Sequence, residues 1–197
     1  MTKHPDVQAF FDTQTNTVSY LVSEPDGPAA LIIDPVLDYD HAGGTFHTAG
    51  AQAILDAASE RGLTVEWILE THAHADHLSA APFLKEKTGA PVAIGEHITQ
   101  VQTIFAPVFS AKDVSGTGAE FDRLLSNGDT LTAGTLTVDV MHPPGHTPAC
   151  VSYRIGDAVF VGDTLFMPDY GTARADFPGG DAHALYSSIQ RILSLPP

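Results

Sequence analysis

Apolar positions along this chain keep two rhythms. From Thr17 to Val22 they alternate with polar ones in period two, and Ala30–Ile33 is a short unbroken apolar run. Both predict strands, and the Glu24–Pro28 turn between them predicts a hairpin. The period then changes. Ala51, Ile54, Leu55 and Ala58 repeat at helical spacing, with Thr48 as the expected N-cap and Gly62 as the stop. Val65–Leu69 reads as a strand, Ser79–Thr88 as a helix closed by Gly89, Pro91–Ile94 as a strand and Ile98–Val108 as a helix. The polar, glycine-containing stretch from Ser110 to Gly128 reads as a long surface loop with one short strand. Leu136–Met141 alternates cleanly, and Val151–Ile155 with Ala158–Val161 forms a hairpin around Gly156-Asp157. A last helix starts at an Asp181 cap, with Leu185, Ile189, Ile192 and Leu193 on one face. Strands interleaved with helices imply an α/β layered fold.

Composition narrows the setting. The chain has 197 residues, a length that favours a single domain over 1–197. Nine Lys and Arg stand against 24 Asp and Glu, for a formal charge of −15. Nucleic acid and anionic membrane surfaces are therefore not expected as partners, because both need clustered cations. No apolar run approaches the roughly 18 residues of a membrane span, and no secretory signal is visible at the N-terminus. One cysteine, Cys150, excludes an internal disulfide framework and fits a reducing cytoplasm. Ten histidines are the unusual feature.

Where those histidines fall points to a metal. Thr71-His-Ala-His-Ala-Asp-His77 follows the Val65–Leu69 strand and puts four candidate ligands, His72, His74, Asp76 and His77, into six residues. His142-Pro-Pro-Gly-His146-Thr147 follows the Leu136–Met141 strand, where proline and glycine make a rigid loop able to aim one imidazole. His146 is the expected ligand there. Gly162-Asp163-Thr164 follows the Ala158–Val161 strand. Asp163 alone reads as a turn residue. Three strands ending in ligand-bearing loops make it a candidate to complete a two-histidine set, since α/β folds place sites beyond the carboxyl ends of strands.

These three motifs, in this order and spacing, resemble the metallo-β-lactamase-fold superfamily. The resemblance implies an αββα four-layer sandwich, two mixed sheets flanked by helices, with a metal site at one edge. The segments Phe10–Tyr20, Ile33–Asp40 and Asp169–Gly180 are similar to its persulfide dioxygenase branch, a glyoxalase II-like group. That branch implies one Fe(II) per chain, held by His72, His146 and Asp163, and oxidation of glutathione persulfide by O2 to sulfite and glutathione. Two imidazoles and a carboxylate with open positions suit that chemistry. His74, Asp76 and His77 then become supporting residues or second-site ligands. The partner expected is a small glutathione-based thiol or persulfide, with a homodimer left open.

The family supplies a further histidine after its last helix, and no histidine follows His183 here. The expectation is that a C-terminal part of the family domain is missing, which leaves a second metal site of Asp76, His77 and bridging Asp163 one ligand short. Arg174 is a candidate for a substrate carboxylate, or else pairs with Asp169 or Asp176 as a clamp. Tyr170 is a second candidate substrate contact, with a packed loop aromatic as the alternative. Cys150 reads as a buried inert thiol.

Two other functions compete. One is a glyoxalase II-type thioester hydrolase, with Zn held by His72, His74, His146 and Asp163 and a metal-bound water as nucleophile. The other is a catalytically silent metal-binding or partner-binding domain.

Overall fold

The computed structural model describes residues 4–196. In chain order the strands and helices are β1 (Asp6–Asp12), β2 (Thr17–Ser23), β3 (Ala29–Ile33), β4 (Val36–Asp40), β5 (Thr45–His47), α1 (Ala49–Glu60), β6 (Thr64–Leu69), β7 (Leu78–Ser79), α2 (Ala81–Thr88), β8 (Val92–Gly95), α3 (Ile98–Phe109), β9 (Arg123–Leu125), β10 (Thr130–Ala133), β11 (Leu136–Met141), β12 (Ser152–Ile155), β13 (Ala158–Phe160) and α4 (Ala182–Leu193). Among the described residues no helix is long and apolar enough to cross a membrane.

Two main sheets form the sandwich. The first has the order β1-β2-β3-β6-β8-β9 and is mixed: β1, β2 and β3 pair antiparallel, while β3, β6, β8 and β9 run parallel. The second, β10-β11-β12-β13, is antiparallel throughout, a refinement of the expectation of two mixed sheets. Successive side chains of a strand point to opposite faces, and the first sheet uses both. Val22, Leu31, Ile33 and Leu69 meet Leu131, Val138, Val140 and Tyr153 of the second sheet. The intervening residues Leu21, Ile32 and Ile68 face the other way and are covered by Ile54 and Ala58 of α1 and Leu84 of α2. A residue on a doubly covered strand is apolar whichever way it points, so β3 is a continuous apolar run.

A small third sheet, β5-β4-β7, stands beside the metal-motif loop. It was not expected, and neither were the edge strand β1 or β10. Val7 and Phe11 of β1 lie exposed, so the alternation there carries little burial signal. Two capping expectations differ in outcome. Asp181 caps α4 by accepting from the Ala184 N–H at 2.9 Å. Thr48 sits at the N-cap of α1 but makes no side-chain capping bond, because its backbone is not in the extended cap conformation.

Candidate metal centre

The three motifs converge at one edge of the sandwich. His72, His74, Asp76 and His77 lie in the loop that leaves β6, His146 in the loop that leaves β11, and Asp163 in a single 3-10 turn, Gly162–Thr164, after β13. One donor atom each from His72, His146 and Asp163 lies within 4.8 Å of the others. The two imidazole Nε2 atoms are 3.7 Å (His72) and 3.6 Å (His146) from the Asp163 Oδ2, and the rings stand perpendicular, with centroids 5.2 Å apart. Those contacts are too long for hydrogen bonds. They match the spacing of donors that share one ion, since ligands about 2.1 Å from a metal at near-tetrahedral angles sit roughly 3.4 Å apart.

The proton arrangement also fits a metal. The Nδ1 of His146 donates to the Arg174 carbonyl oxygen at 2.8 Å, so its Nε2 carries the free lone pair. His72 is set by a relay. Thr71 Oγ1 donates to Asp34 Oδ2 at 2.8 Å and so accepts at 3.1 Å from the His72 Nδ1, which again frees Nε2. Asp34 also accepts from the Thr71 N–H at 2.7 Å. It holds this position with φ of +48°, a left-handed conformation that Asp tolerates better than most residues. Burial, and then the imidazoles of His74, His146 and His77, hold the His72 pKa well below the usual histidine value. Burial raises that of Asp163, against the pull of His146 and His74. A buried imidazole pair facing a carboxylate is a donor set for a divalent metal.

His74 is outside that donor set, although its ring lies against that of His72, with centroids 4.0 Å apart. Its Nε2 is 3.3 Å from Asp34 Oδ1 and 3.7 Å from Glu70 Oε2. Burial opposes its protonation, but Asp34 and Glu70 outweigh it and raise the His74 pKa well above the ordinary value. Glu70 is itself buried, and burial raises its pKa. His74, Asp76 and His77 form a neighbouring set, with His77 Nδ1 3.4 Å from Asp76 Oδ2. The His77 Nε2 is buried and has no hydrogen-bond partner among the described residues.

The remaining candidates lie elsewhere. Arg174 is held by Asp176, Nε to Oδ1 at 2.5 Å and Nη2 to Oδ2 at 2.9 Å, with its guanidinium 4.8 Å from the Phe177 ring centroid. Its side chain is thus in the clamp arrangement, while its backbone carbonyl serves His146. Tyr170 is 82% exposed, edge-on to Phe166, and is not the packed aromatic that was one expectation for it. Neither residue lines the groove of about 640 Å³ beside the triad. Cys150 is buried, and burial pushes its thiol up to about 11, which suits an inert residue. Sequence reading missed Asp34, Glu70 and the Arg174 carbonyl. For Asp34 a signal was present: it directly follows β3, the strand paired in parallel with β6.

The chain is similar to several known proteins. A β-lactamase hydrolase-like protein of Xylella fastidiosa is 53% identical over 98% of this chain, which spans only 44% of that protein's length. Glyoxylase B2 of Dictyostelium discoideum is 42% identical over 100% of this chain and 68% of its own. Mitochondrial persulfide dioxygenase ETHE1 of Bos taurus is 28% identical over 96% of this chain and 64% of its own. The crystal structure of ETHE1 from Myxococcus xanthus superposes with a TM-score of 0.75 at 30% identity, covering 97% of this chain and 71% of that one. The profile of the metallo-beta-lactamase superfamily matches residues 12–196, and the chain belongs to that superfamily.

Proposed function

We propose that this chain is a mononuclear iron-dependent persulfide dioxygenase. The observation that carries this reading is a complete set of two imidazoles and one carboxylate, His72, His146 and Asp163, with His74 taken up by Asp34 and Glu70 instead. A 2-His-1-carboxylate face leaves positions open for O2 and a sulfur ligand, as oxygen-using Fe(II) sites require. The similarity to a persulfide dioxygenase supports the same choice.

The overall reaction is R–S–SH + O2 + H2O giving R–SH, sulfite and two protons. The S–S bond breaks, the outer sulfur loses four electrons and O2 gains them. Bound iron supplies the oxygen chemistry. The protein's residues do the rest. Thr71 and the Arg174 carbonyl keep the proton of each imidazole on Nδ1, so that both Nε2 atoms face the site. Phe177 stands edge-on to His146, with ring centroids 5.5 Å apart, and adds apolar cover where the groove meets the triad. The test is O2 uptake by Fe(II)-reconstituted protein with glutathione persulfide, the substrate implied by resemblance, with His146→Ala as control. Uptake matched by sulfite and lost in the variant is expected. Bound iron without uptake from glutathione persulfide or from a persulfide of another thiol would refute the reading.

The second reading is a glyoxalase II-type thioester hydrolase. It is favoured by the similarity to glyoxylase B2 and by the neighbouring set of His74, Asp76 and His77, a second group of donors next to the first. Zn-dependent release of glutathione from S-lactoylglutathione, with no O2 uptake, is its signature.

A further inference from the structure

We infer that the groove beside the triad selects sulfur compounds whose organic substituent is apolar and uncharged, in preference to the doubly carboxylated tail of glutathione. This rests on the dioxygenase reading for the reacting end, a persulfide, and concerns what the other end of the substrate is.

The groove is lined by His146 and Thr147 at the triad. Its apolar lining includes Val101, Phe105 and Phe109 from successive turns of α3, Phe177, and Leu37 and Leu78 of the paired strands β4 and β7. Phe105 and Phe109 stack at 6.0 Å between centroids. Phe109 is 73% exposed and Leu78 48%, so these side chains are left in water where folding gains nothing from them. Exposed apolar surface gathered at the mouth of a site marks what the site binds.

The charged lining is acidic. Asp12, Asp38 and Asp76 line the groove, and no Lys or Arg does so among the described residues. Asp12 accepts from Thr15 and Gln14, and Asp38 from the Gly50 N–H, all neutral donors that leave the charges in place. Of the four lining imidazoles, His74 is matched by Asp34 and Glu70, His77 faces Asp76, His146 is bonded to the Arg174 carbonyl and His41 lies edge-on to Tyr39. Arg174 comes near through Phe177, but Asp176 holds it with both oxygens. Tight recognition of a carboxylate calls for an unengaged cation, usually a bidentate Arg. Here a carboxylate tail meets like charge in a cleft of a chain whose formal charge is already −15. An apolar tail instead covers the α3 wall and gains its burial.

The test compares benzyl persulfide with glutathione persulfide as substrates of the Fe(II)-reconstituted protein. The expected kcat/KM ratio favours the benzyl compound by about tenfold or more, the scale of apolar pocket discrimination. Phe109→Lys, at an exposed position of the wall, is expected to shrink that ratio by placing a cation there. Calorimetric binding of benzyl mercaptan and of glutathione to the metal-loaded protein gives a readout that needs no turnover. If neither persulfide consumes O2, the dioxygenase reading falls, and the two thiol affinities still decide the present inference. Equal or better use, or binding, of the glutathione compound overturns it.

Discussion

The backbone carbonyl of Arg174 accepts a hydrogen bond from Nδ1 of His146 at 2.8 Å. The side chain of the same residue is fastened to Asp176 and lies over Phe177. Arg174 therefore acts on the metal centre through its main chain, while its side chain holds the segment in place. Arg174→Ala keeps the carbonyl and loses the fastening. The expected result is faster loss of metal to a chelator, by about tenfold at most, since residues that orient a ligand contribute on that scale. KM for the persulfide is expected to stay unchanged. A raised KM with unchanged metal retention would instead give the side chain a direct role in holding substrate.

The two neighbouring donor sets make a separable prediction about stoichiometry. His77 belongs to the set with His74 and Asp76, outside the triad. His77→Asn is expected to bind as much iron per chain as the unmodified protein and to keep O2 uptake within about threefold, the range of an indirect change at a buried neighbour. Asp163→Asn is expected to lose most of its iron, because it removes the only anionic ligand of the triad. Metal analysis of the purified variants separates these outcomes. A His77 variant that loses half its metal would mean a two-metal centre, and the hydrolase reading would gain.

How far the sequence foretold this site depends on how each contact is made. The triad residues stand directly behind strands of clear periodicity, so position along the chain and position in space coincide. Asp34 and Thr71 are 37 residues apart, and their bond exists because β3 and β6 pair in parallel and end at the same sheet edge. Pairing order is not written in the period of either strand. The Arg174 carbonyl is a main-chain atom, and no residue type advertises it. Strands β4, β5 and β7 are short, with few buried positions to carry an alternation, and β4 and β7 border the groove. The sandwich core was readable for the opposite reason. Apart from the exposed β1 and the short β10, its strands have apolar faces continuous enough to show both period and burial.

Cys150 offers a check on packing next to the metal loop. Its thiol is buried, contacts Thr147 Oγ1 at 3.1 Å, and titrates at about 11 because burial disfavours the thiolate. Only the thiolate attacks disulfides or alkylating agents. The native protein is therefore expected to show no reaction with a thiol reagent at pH 8 on the timescale of minutes, and full reaction of one thiol in denaturant. As pH rises the native reaction should quicken toward the raised pKa, unless unfolding intervenes first. Rapid labelling of the native state at pH 8 would mean that the loop carrying His146 opens readily.

Gly145 ties the metal loop to the last helix. Its φ is +144°, and a Cβ built there would lie 2.3 Å from the Leu185 backbone N and Cα. Helix α4 is bonded to the same loop at several points: the Asp181 N–H donates to the Gly145 carbonyl at 2.8 Å, Ser188 Oγ to the Pro144 carbonyl at 2.8 Å and Arg191 Nη2 to the His142 carbonyl at 2.6 Å. Backbone meets backbone at Gly145, so no side chain can swing aside to make room for a methyl group. Gly145→Ala must either push α4 off the loop or shift His146 away from Asp163. A cost of about 3 kcal/mol is expected from the strained φ and the overlap together. In a chain of this size that lowers Tm by roughly 6 to 12 °C. Loss of iron is expected to accompany it, because His146 is the next residue. Ser188→Ala breaks one of the bonds without the overlap and is expected to lower Tm by a smaller amount, with iron retained. If Gly145→Ala instead melted with the unmodified protein and kept its iron, α4 would have no part in aiming His146.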